Sequence, residues 1–477
     1  MSIFNAPGVG DEDREEITSE IFRQFVTDII SPNFENIIEG TVGNLLGISR
    51  GLFLISLFVG LLATLAYVIP NFFLFTLAWL IGTLPIWILP AAVAGAWKCW
   101  IWYVQSAFVA EKEEEAILLE VKMPRELVKS PRGMDQAFHH LWLDVGEVTY
   151  FTRKWRGATL PVFSFEIASF GGEVHFYVWT WKEWRHAVES GIYANYPEVE
   201  IYEVEDYAKK FKYEPSEALA FCNDYRYEPR NDAFPIRTYV DFELDSDPKE
   251  EYKVDPLAVV LEQMSNLKPD EQIWLQIVIE MNKDTRRVPH GGWLEMEGAY
   301  TGIMKQAVDD LKKANVEVKD EAHDSWRRHS RVRSYKLEKQ IEAIERNMGK
   351  YPFNVGLRGV YIAPPETFGP TLHTMRWIWR PVGNPQYMNQ LRPRRWHTPF
   401  DYPYQDLWDY RWHLHTRRFF DCYRRRGHFH APYKLPHNMM STEVLATLWH
   451  PISSGVKAPG VERIPAKKAE PPPNLPK

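Results

Sequence analysis

The sequence predicts an α+β chain in which an N-terminal transmembrane helical hairpin precedes two tandem βαββαβ modules, the second carrying a helical insertion. Three observations predict it. Two uncharged apolar runs lie only two residues apart; short segments between 111 and 230 switch between period 2 and period 3.6; and a similar series starts again after 231.

The apolar runs come first. RGLFLISLFVGLLATLAYVIP offers about 19 uncharged residues from Gly51 to Ile69 and NFFLFTLAWLIGTLPIWILPAAVAGAW about 23 from Phe72 to Ala94, each near the ~20 a helix needs to cross hydrocarbon. Pro70-Asn71 is then the turn of a hairpin with both ends on one side. Arg50 precedes it and Lys98, Lys112, Lys122 and Arg125 follow, so the positive-inside rule places both termini in the cytoplasm. The expected location is the cytoplasmic (inner) membrane, multi-pass, with the soluble domains in the cytoplasm. Trp87, Trp97, Trp100, Trp102 and Tyr103 belong to an interfacial belt, and Pro85 and Pro90 predict a kink in the second helix. The competing reading is a helical hairpin buried in a soluble core, which rarely lacks charge over such a length. Ahead of the hairpin (50–110) lies a segment, 1–49, in which Ile17, Ile21, Phe25, Val26 and Ile29 recur at helical spacing. That suggests an amphipathic helix lying at the membrane face or on a partner, with ordinary packing on the chain's own soluble domain as the competing reading.

The remainder has the composition of soluble domains. At 477 residues the chain can hold two or three cores, and its net charge of -7 offers no global basic field for nucleic acid or anionic lipid. Cys99, Cys222 and Cys422 are far apart, with no metal spacing and no disulfide framework, which suits a reducing compartment.

The first module occupies 111–230. In AILLEVKM, Ile117, Leu119, Val121 and Met123 alternate as on a strand, and Ser130-Pro131 supplies a cap and a first-turn proline for a helix with Met134, Ala137, Phe138 and Leu141 on one face. Phe163, Phe165 and Ile167 alternate before Gly171-Gly172, a hairpin signal, and Val174, Phe176 and Val178 alternate after it. A helix with Trp184, Ala187, Val188, Gly191 and Ile192 on one face and a strand in VEIYEVED complete the order, which is that of a ferredoxin-like module. The second module spans 231–440. IRTYVDFEL, with Ile236, Thr238, Val240, Phe242 and Leu244 alternating, is its predicted first strand; Asp255-Pro256 repeats the cap-plus-proline device before Leu257, Val260, Leu261 and Met264; and EQIWLQIVIEM is a core strand. Charged, helix-prone sequence from 283 to 350 predicts an inserted helical arm. FNVGLRGVYIA then resumes as a strand, PPETFGPTLHTMRWIW as a helix and RRFFDCY as a closing strand, before a C-terminal helix and Pro-rich tail in 441–477.

Catalytic signals are thin. The nearest approach to a P-loop, Gly455 to Gly460, is followed by Val461-Glu462 and lacks both the lysine and the hydroxyl. His413 and His415, and His428 and His430, have the spacing of neighbours on one strand face, but no cysteine or carboxylate pattern completes a metal set, and structural roles in aromatic loops are the commoner use. No catalytic, cofactor or metal residue is assigned. Arg392, Arg394, Arg395, Arg417, Arg418, Arg424, Arg425 and Arg426 interleave with Trp, Tyr and Phe. Such a region can stack bases and pair phosphates, line a protein interface, or pack within the second module; the protein interface is the leading reading.

Two apolar helices, then AILLEVKMPRELVKSPRGMDQAFHHL, then FSFEIASFGGEVHFYVWTWKEWRHAVESGIYANYPEVEIYEVEDY, and finally STEVLATLWHPISSGVKAPGVERIPAKKAEPPPNLP, together resemble the membrane-proximal N-terminal region of HerA/VirB4-like ATPases of type IV secretion and conjugation in reduced-genome bacteria. The resemblance covers about residues 50–477 and rests on the order of structural motifs. In those relatives the last segment leads into a P-loop motor, whereas this sequence stops at Lys477. The resemblance therefore implies a non-enzymatic, membrane-anchored component that docks a separately encoded HerA/VirB4-type ATPase. Membrane lipid and that ATPase are the expected partners, with nucleic acid and a second copy of the chain left open. The alternative is a membrane-bound enzyme with its site in the His-, Arg- and Tyr-rich C-terminal third. A P-loop cradle needs its glycines, lysine and hydroxyl together, so we expect the purified chain to give no saturable signal in a nucleotide titration; micromolar ATP binding abolished by one substitution in 111–440 would contradict this.

Overall fold

The computed structural model describes residues 58–61, 64, 67, 70–125, 127, 129–142, 149–245, 254–282, 287–289, 296–317, 335–394, 396, 406, 409–454, 456 and 459–464. The expected amphipathic segment 1–49, most of the first apolar run and the tail after Ile464 lie outside them. The described residues divide between two compact units at Trp97 and Lys98, and the second unit, Lys98–His397 with His415–Lys477, holds the sheet.

The first long element, α1 (Pro70–Glu114), is uncharged through Trp97 and exposes Leu74, Phe75, Trp79, Leu80, Ile81, Ile88 and Leu89. It bends by 57° between Leu84 and Ile88, where Pro85 has no amide hydrogen to give the preceding turn. Among the described residues no single helix is long and apolar enough to cross a membrane; Leu74–Leu84 and Ile88–Glu114 meet that test only as a bent pair.

After Glu114 the chain enters the sheet through β1 (Ala116–Pro124), followed by α2 (Arg132–Leu141), the short α3 (Tyr150–Trp155), β2 (Val162–Phe170), β3 (Glu173–Trp181), α4 (Arg185–Asn195) and β4 (Glu200–Val204). The strand order is β4-β1-β3-β2, antiparallel throughout. Gly171 and Gly172 both adopt positive φ, 60° and 95°, as a two-residue turn between right-twisted strands requires. The cap before α2 is shifted by one residue: Ser130 Oγ accepts from Arg132 N–H, and Pro131 occupies the cap position.

A one-turn helix, α5 (Tyr207–Lys210), capped by Asp206, leads to β5 (Leu219–Glu228), α6 (Pro256–Ser265) and β6 (Gln272–Met281). Asp255 Oδ1 accepts from Leu257 N–H at 2.9 Å with Pro256 in the first turn, so the predicted device operates there. A minor strand pair, β7 (Arg287–Pro289) and β8 (Met296–Gly298), precedes α7 (Ala299–Glu317) and α8 (Tyr335–Met348). These two helices are not a free arm, since Tyr300, Met304, Ala307, Val308 and Ile344 form a small core with Ala233. Then come β9 (Pro352–Ala363), α9 (Pro370–Arg376), β10 (Gln390–Arg394), α10 (Tyr410–Arg424), β11 (Asn438–Ser441), α11 (Thr442–Leu448) and β12 (Arg463–Ile464).

This second half pairs as β10-β5-β9-β6, repeating the order of the first. Two expectations are corrected here. IRTYVDFEL is not a strand, because the Asp241 carboxylate accepts from Thr238 N–H and residues 238–244 close on one another through local backbone bonds; the first strand is β5. RRFFDCY is helical, within α10: Thr416, Phe419, Phe420 and Tyr423 bury at i, i+3, i+4 and i+7, a 3.6-residue stripe that alternation cannot produce. The closing strand is β10.

The halves join edge to edge. β2 and β6 pair antiparallel from Val162↔Glu280 to Phe170↔Gln272, so ten strands form one sheet among the described residues. One face is covered by α2, α4, α6, α9 and α11, with Phe138 against Phe165 at 4.8 Å, Trp449 against Phe165 at 5.0 Å, and Met264 and Met375 carbonyls accepting from Ser169 and Tyr225. The other face is covered by α10 from His415 onward, through Phe419, Phe420 and Tyr423 against Trp274, Trp179 and Val360. Phe165 is fully buried at the seam between the halves. We expect Phe165→Ala to lower stability by about 3–5 kcal/mol in denaturant titrations of the purified chain, whereas Phe75→Ala, on exposed α1, should leave the sheet's unfolding midpoint unchanged.

Candidate functional site

The apolar strands of the sheet each carry a polar residue, and register brings these into one line. Glu120 pairs with Tyr177, Tyr177 with Glu166, Glu166 with Gln276, Gln276 with Arg358, and Arg358 with Asp224. Directly paired residues of antiparallel strands share a face, so these six form a polar stripe across the face that α10 covers. Glu166↔Gln276 is the central pair of the β2–β6 seam.

Arg426, just past the C-terminus of α10, enters the stripe there. Its Nε and Nη2 donate to the two carboxylate oxygens of Glu166 at 3.0 and 3.1 Å, and Nη2 and Nη1 donate to the two oxygens of Asp206. Nη1 also donates to Arg424 O at 2.9 Å, so all five guanidinium hydrogens have acceptors. Glu166 Oε1 accepts in addition from Ser164 Oγ and Gln276 Nε2, and Oε2 from the Tyr207 hydroxyl, each at 2.7–2.8 Å. The side chains of Arg426 and Glu166 are both wholly buried. Burial works against the cation, but Glu166 and Asp206 outweigh it and hold Arg426 well above its ordinary value. Burial, with Glu166 beside it, pushes the Tyr207 hydroxyl up, keeping it a donor. The Arg426 backbone has φ 49°, a left-handed strain of about 1–2 kcal/mol for a non-glycine residue.

Two strands away, Arg358 Nη1 donates to Cys422 Sγ and Nη2 to Gly427 O and to His428 Nδ1; the opposite ring nitrogen, Nε2, donates to Pro436 O at 3.1 Å. Burial pushes the Cys422 thiol up to about 11, so it stays an S–H and donates to Gly427 O. The His428 ring lies on the β9 backbone at Gly356, where a Cβ would come within 2.4 Å of it. At the same end of α10, Arg425 Nη1 donates to Glu113 Oε2 at 3.2 Å, near the C-terminus of α1. Burial raises the Glu113 carboxyl to about 7, against the opposing pull of Arg425.

These contacts disperse the arginines that the sequence grouped. Arg426 and Arg424, the latter donating to the Ala208 and Phe211 carbonyls, fix the 206–211 segment, and Arg425 holds Asp421 and Glu113. Arg392 and Arg394 both pair with Glu228 at the outer strand β10. Arg394 also lines a cleft of about 240 Å³ with Asp224, Arg226, Tyr227, Glu228 and Pro436. Arg417 and Arg418 are exposed on α10, and Arg395 lies outside the described residues. His413 and His415 sit on a helix, two residues apart and therefore on divergent faces, which corrects the expected strand spacing. His430 bonds Glu280. Among the described residues no three His, Cys, Asp or Glu side chains gather as a metal site. Glu166, Gln276 and Arg358 were missed by sequence reasoning, although each interrupts an apolar strand, in SFEIA, WLQIV and GLRGV.

Residues 107–370 match a family described as Domain of unknown function (DUF8128). The chain belongs to this family. None of the curated proteins matches it. The DUF8128 span runs from the last turns of α1 to the start of α9, so it includes Glu166, Asp206 and Arg358, while their partners Arg426 and His428 come from C-terminal sequence beyond it.

Arg426→Met leaves Glu166 and Asp206 without a cation in a buried site, and we expect a loss of about 3–5 kcal/mol; Arg426→Met combined with Glu166→Gln should lose less than the single variant, read by the same denaturant titration. Glu113 gives a second expectation. Its folded value lies above its ordinary 4.5, so its contribution to stability is full below about pH 4.5 and is lost as pH rises through about 7. Glu113→Gln should therefore flatten the fall in stability between pH 5 and 8 and raise stability at pH 8 on the order of 1–3 kcal/mol.

Proposed function

We propose that this chain is a non-enzymatic platform, anchored in the cytoplasmic membrane by an N-terminal helical hairpin, whose two ferredoxin-like modules dock a separate P-loop ATPase of the HerA/VirB4 type in a secretion or conjugation-like transfer machine. Several features support the reading. The strand orders β4-β1-β3-β2 and β10-β5-β9-β6 are those of split βαβ modules, each with its helices on one face. The observation that carries the anchoring is α1, whose uncharged stretch exposes a run of large apolar side chains and continues, after Glu115, into the first strand of the sheet. A soluble surface rarely exposes so long an apolar run.

Against the enzyme alternative, Arg426, Tyr207, Cys422 and His428 are held in closed, buried bonding sets that leave no acid–base pair facing solvent at that place. Against nucleic acid, Arg392 and Arg394 are shared with one carboxylate and Arg424 is bound to backbone carbonyls. A protein partner fits better at the rim of the sheet, where β4 and β10 lie at opposite ends.

Two measurements test the reading. The full-length chain should stay in the membrane pellet after alkaline carbonate extraction, and affinity purification from native membranes should recover a P-loop ATPase in stoichiometric amount. Release into the supernatant would overturn the anchor, and repeated recovery without any such ATPase would overturn the docking role.

A further inference from the structure

We propose that α3, with Trp100, Trp102 and Tyr103 of α1, is a second, peripheral anchor lying in the headgroup layer of an anionic phospholipid bilayer; the inference rests on the membrane reading of α1 and deepens it. The helix YFTRKW exposes Phe151 by 59 % and Trp155 by 48 %, and the neighbouring Trp102 and Tyr103 of α1 by 54 % and 62 %. These rings are not on a loose loop. Trp100 Nε1 donates to Lys154 O at 3.2 Å, and the Trp100 and Trp155 rings meet edge to face at 5.6 Å. Immediately after α3, Gly157 has φ 70° and lies so close to α1 that a Cβ there would come within 2.1 Å of Val104 O, so the backbones touch. α3 is thus fastened to α1 itself, at Trp100 to Val104.

The position suits a headgroup layer. Trp100 follows Trp97, the last residue of the uncharged stretch, by three residues, about 4.5 Å along a helix at 1.5 Å per residue, which places it within the polar layer that extends roughly 5–8 Å beyond the hydrocarbon on each side. Indole and phenol rings partition to that depth. The charge also suits it: in a chain of net charge -7, the segments 98–110 and 149–156 carry Lys98, Arg153, Lys154 and Arg156 and no Asp or Glu. Cations beside exposed rings, at the end of an apolar helix, match lipid phosphate.

The test uses the full-length chain in proteoliposomes, either phosphatidylcholine alone or with phosphatidylglycerol. In a Cys99→Ser background, with Cys222 and Cys422 buried, nitroxide labels are placed singly at Phe151→Cys, at Trp102→Cys, at Leu80→Cys as the hydrocarbon reference and at Lys210→Cys as the solvent reference. Relaxation by oxygen against a water-soluble nickel chelate then reads depth. We expect the Phe151 and Trp102 labels to fall between the two references when phosphatidylglycerol is present, and the Phe151 label to move several-fold toward the Lys210 ratio in the Arg153→Glu/Arg156→Glu variant. A Phe151 label as open to nickel as Lys210, while Leu80 stays in hydrocarbon, overturns this inference and leaves the anchor intact; so does a label shielded from both relaxants, which would mean a protein contact. A Leu80 label open to nickel overturns the anchor itself. Depth that ignores both phosphatidylglycerol and the charge reversal overturns the anionic assignment.

Discussion

The bidentate pairing of Arg426 with Glu166 is the contact on which the rest of the sheet depends. It sits at the midpoint of the β2–β6 ladder, the only strand pairing that joins the two halves among the described residues. A carboxylate in the middle of a buried ladder is destabilising unless its charge is matched and its lone pairs are filled. Here Ser164, Gln276 and Tyr207 fill the oxygens that Arg426 shares, and Asp206 takes the remaining guanidinium edge. The pair also ties sequence-distant parts together: one strand of the first half, one strand of the second, the cap of α5 and the loop after α10. Wrong registers of β2 on β6 would move Glu166 off Gln276, and a slip by one residue would turn it away from Arg426, toward the face covered by α2, α4, α6, α9 and α11. The native register is thus the one in which the Glu166 carboxylate meets both Gln276 and Arg426.

That alignment gives the sheet its shape. The halves repeat one strand order and meet through equivalent strands, β2 and β6, so the seam is antiparallel and self-similar. Each half, taken alone, leaves one sheet face open. In the second unit that face is closed by α10 and the 207–213 segment, whose Phe211, Phe420 and Tyr423 cluster around Trp274. The helix is fastened at its end by Arg424, Arg425 and Arg426, each with a different set of acceptors. Three consecutive arginines thus act as fasteners for a lid element, which is why so few of the region's cations remain for an outside partner.

Much of the first half was legible because its strands alternate and its turn is Gly171-Gly172. The second half was harder to read for a physical reason. β5 is buried on both faces, and its sequence LAFCNDYRYE puts Phe221 and Tyr225 on one side and Ala220, Cys222 and Asp224 on the other, so it shows no clean period. IRTYVDFEL does alternate, yet Thr238 and Asp241 close a local turn, and Thr238 and Glu443 are tied to Arg346. A seven-residue window of RRFFDCY could not separate strand from helix, whereas the longer run back to Thr416 has the helical stripe. The arginine region was recognised as a unit, but its partners are single polar residues in apolar strands, far away in sequence, and only register reveals that they form a line.

The chain's way into the sheet and its way out meet at one strand. β12 lies beside the end of β1 as a parallel neighbour, Met123 opposite Arg463 and Pro124 opposite Ile464, with Arg125 N–H donating to Ile464 O and the Arg463 guanidinium to the Ser453 and Val456 carbonyls. A pull on α1 enters β1 at Ala116, while a pull on whatever follows residue 464 enters at Arg463, seven residues along the same strand. Tension between the two would run lengthwise through β1 and load its bonds to β12 in shear, with little of it crossing the seam. In mechanical terms most of the ten-stranded sheet is a body hung beside the line of force, free to hold its shape while β1 and its pairing with β12 bear the load.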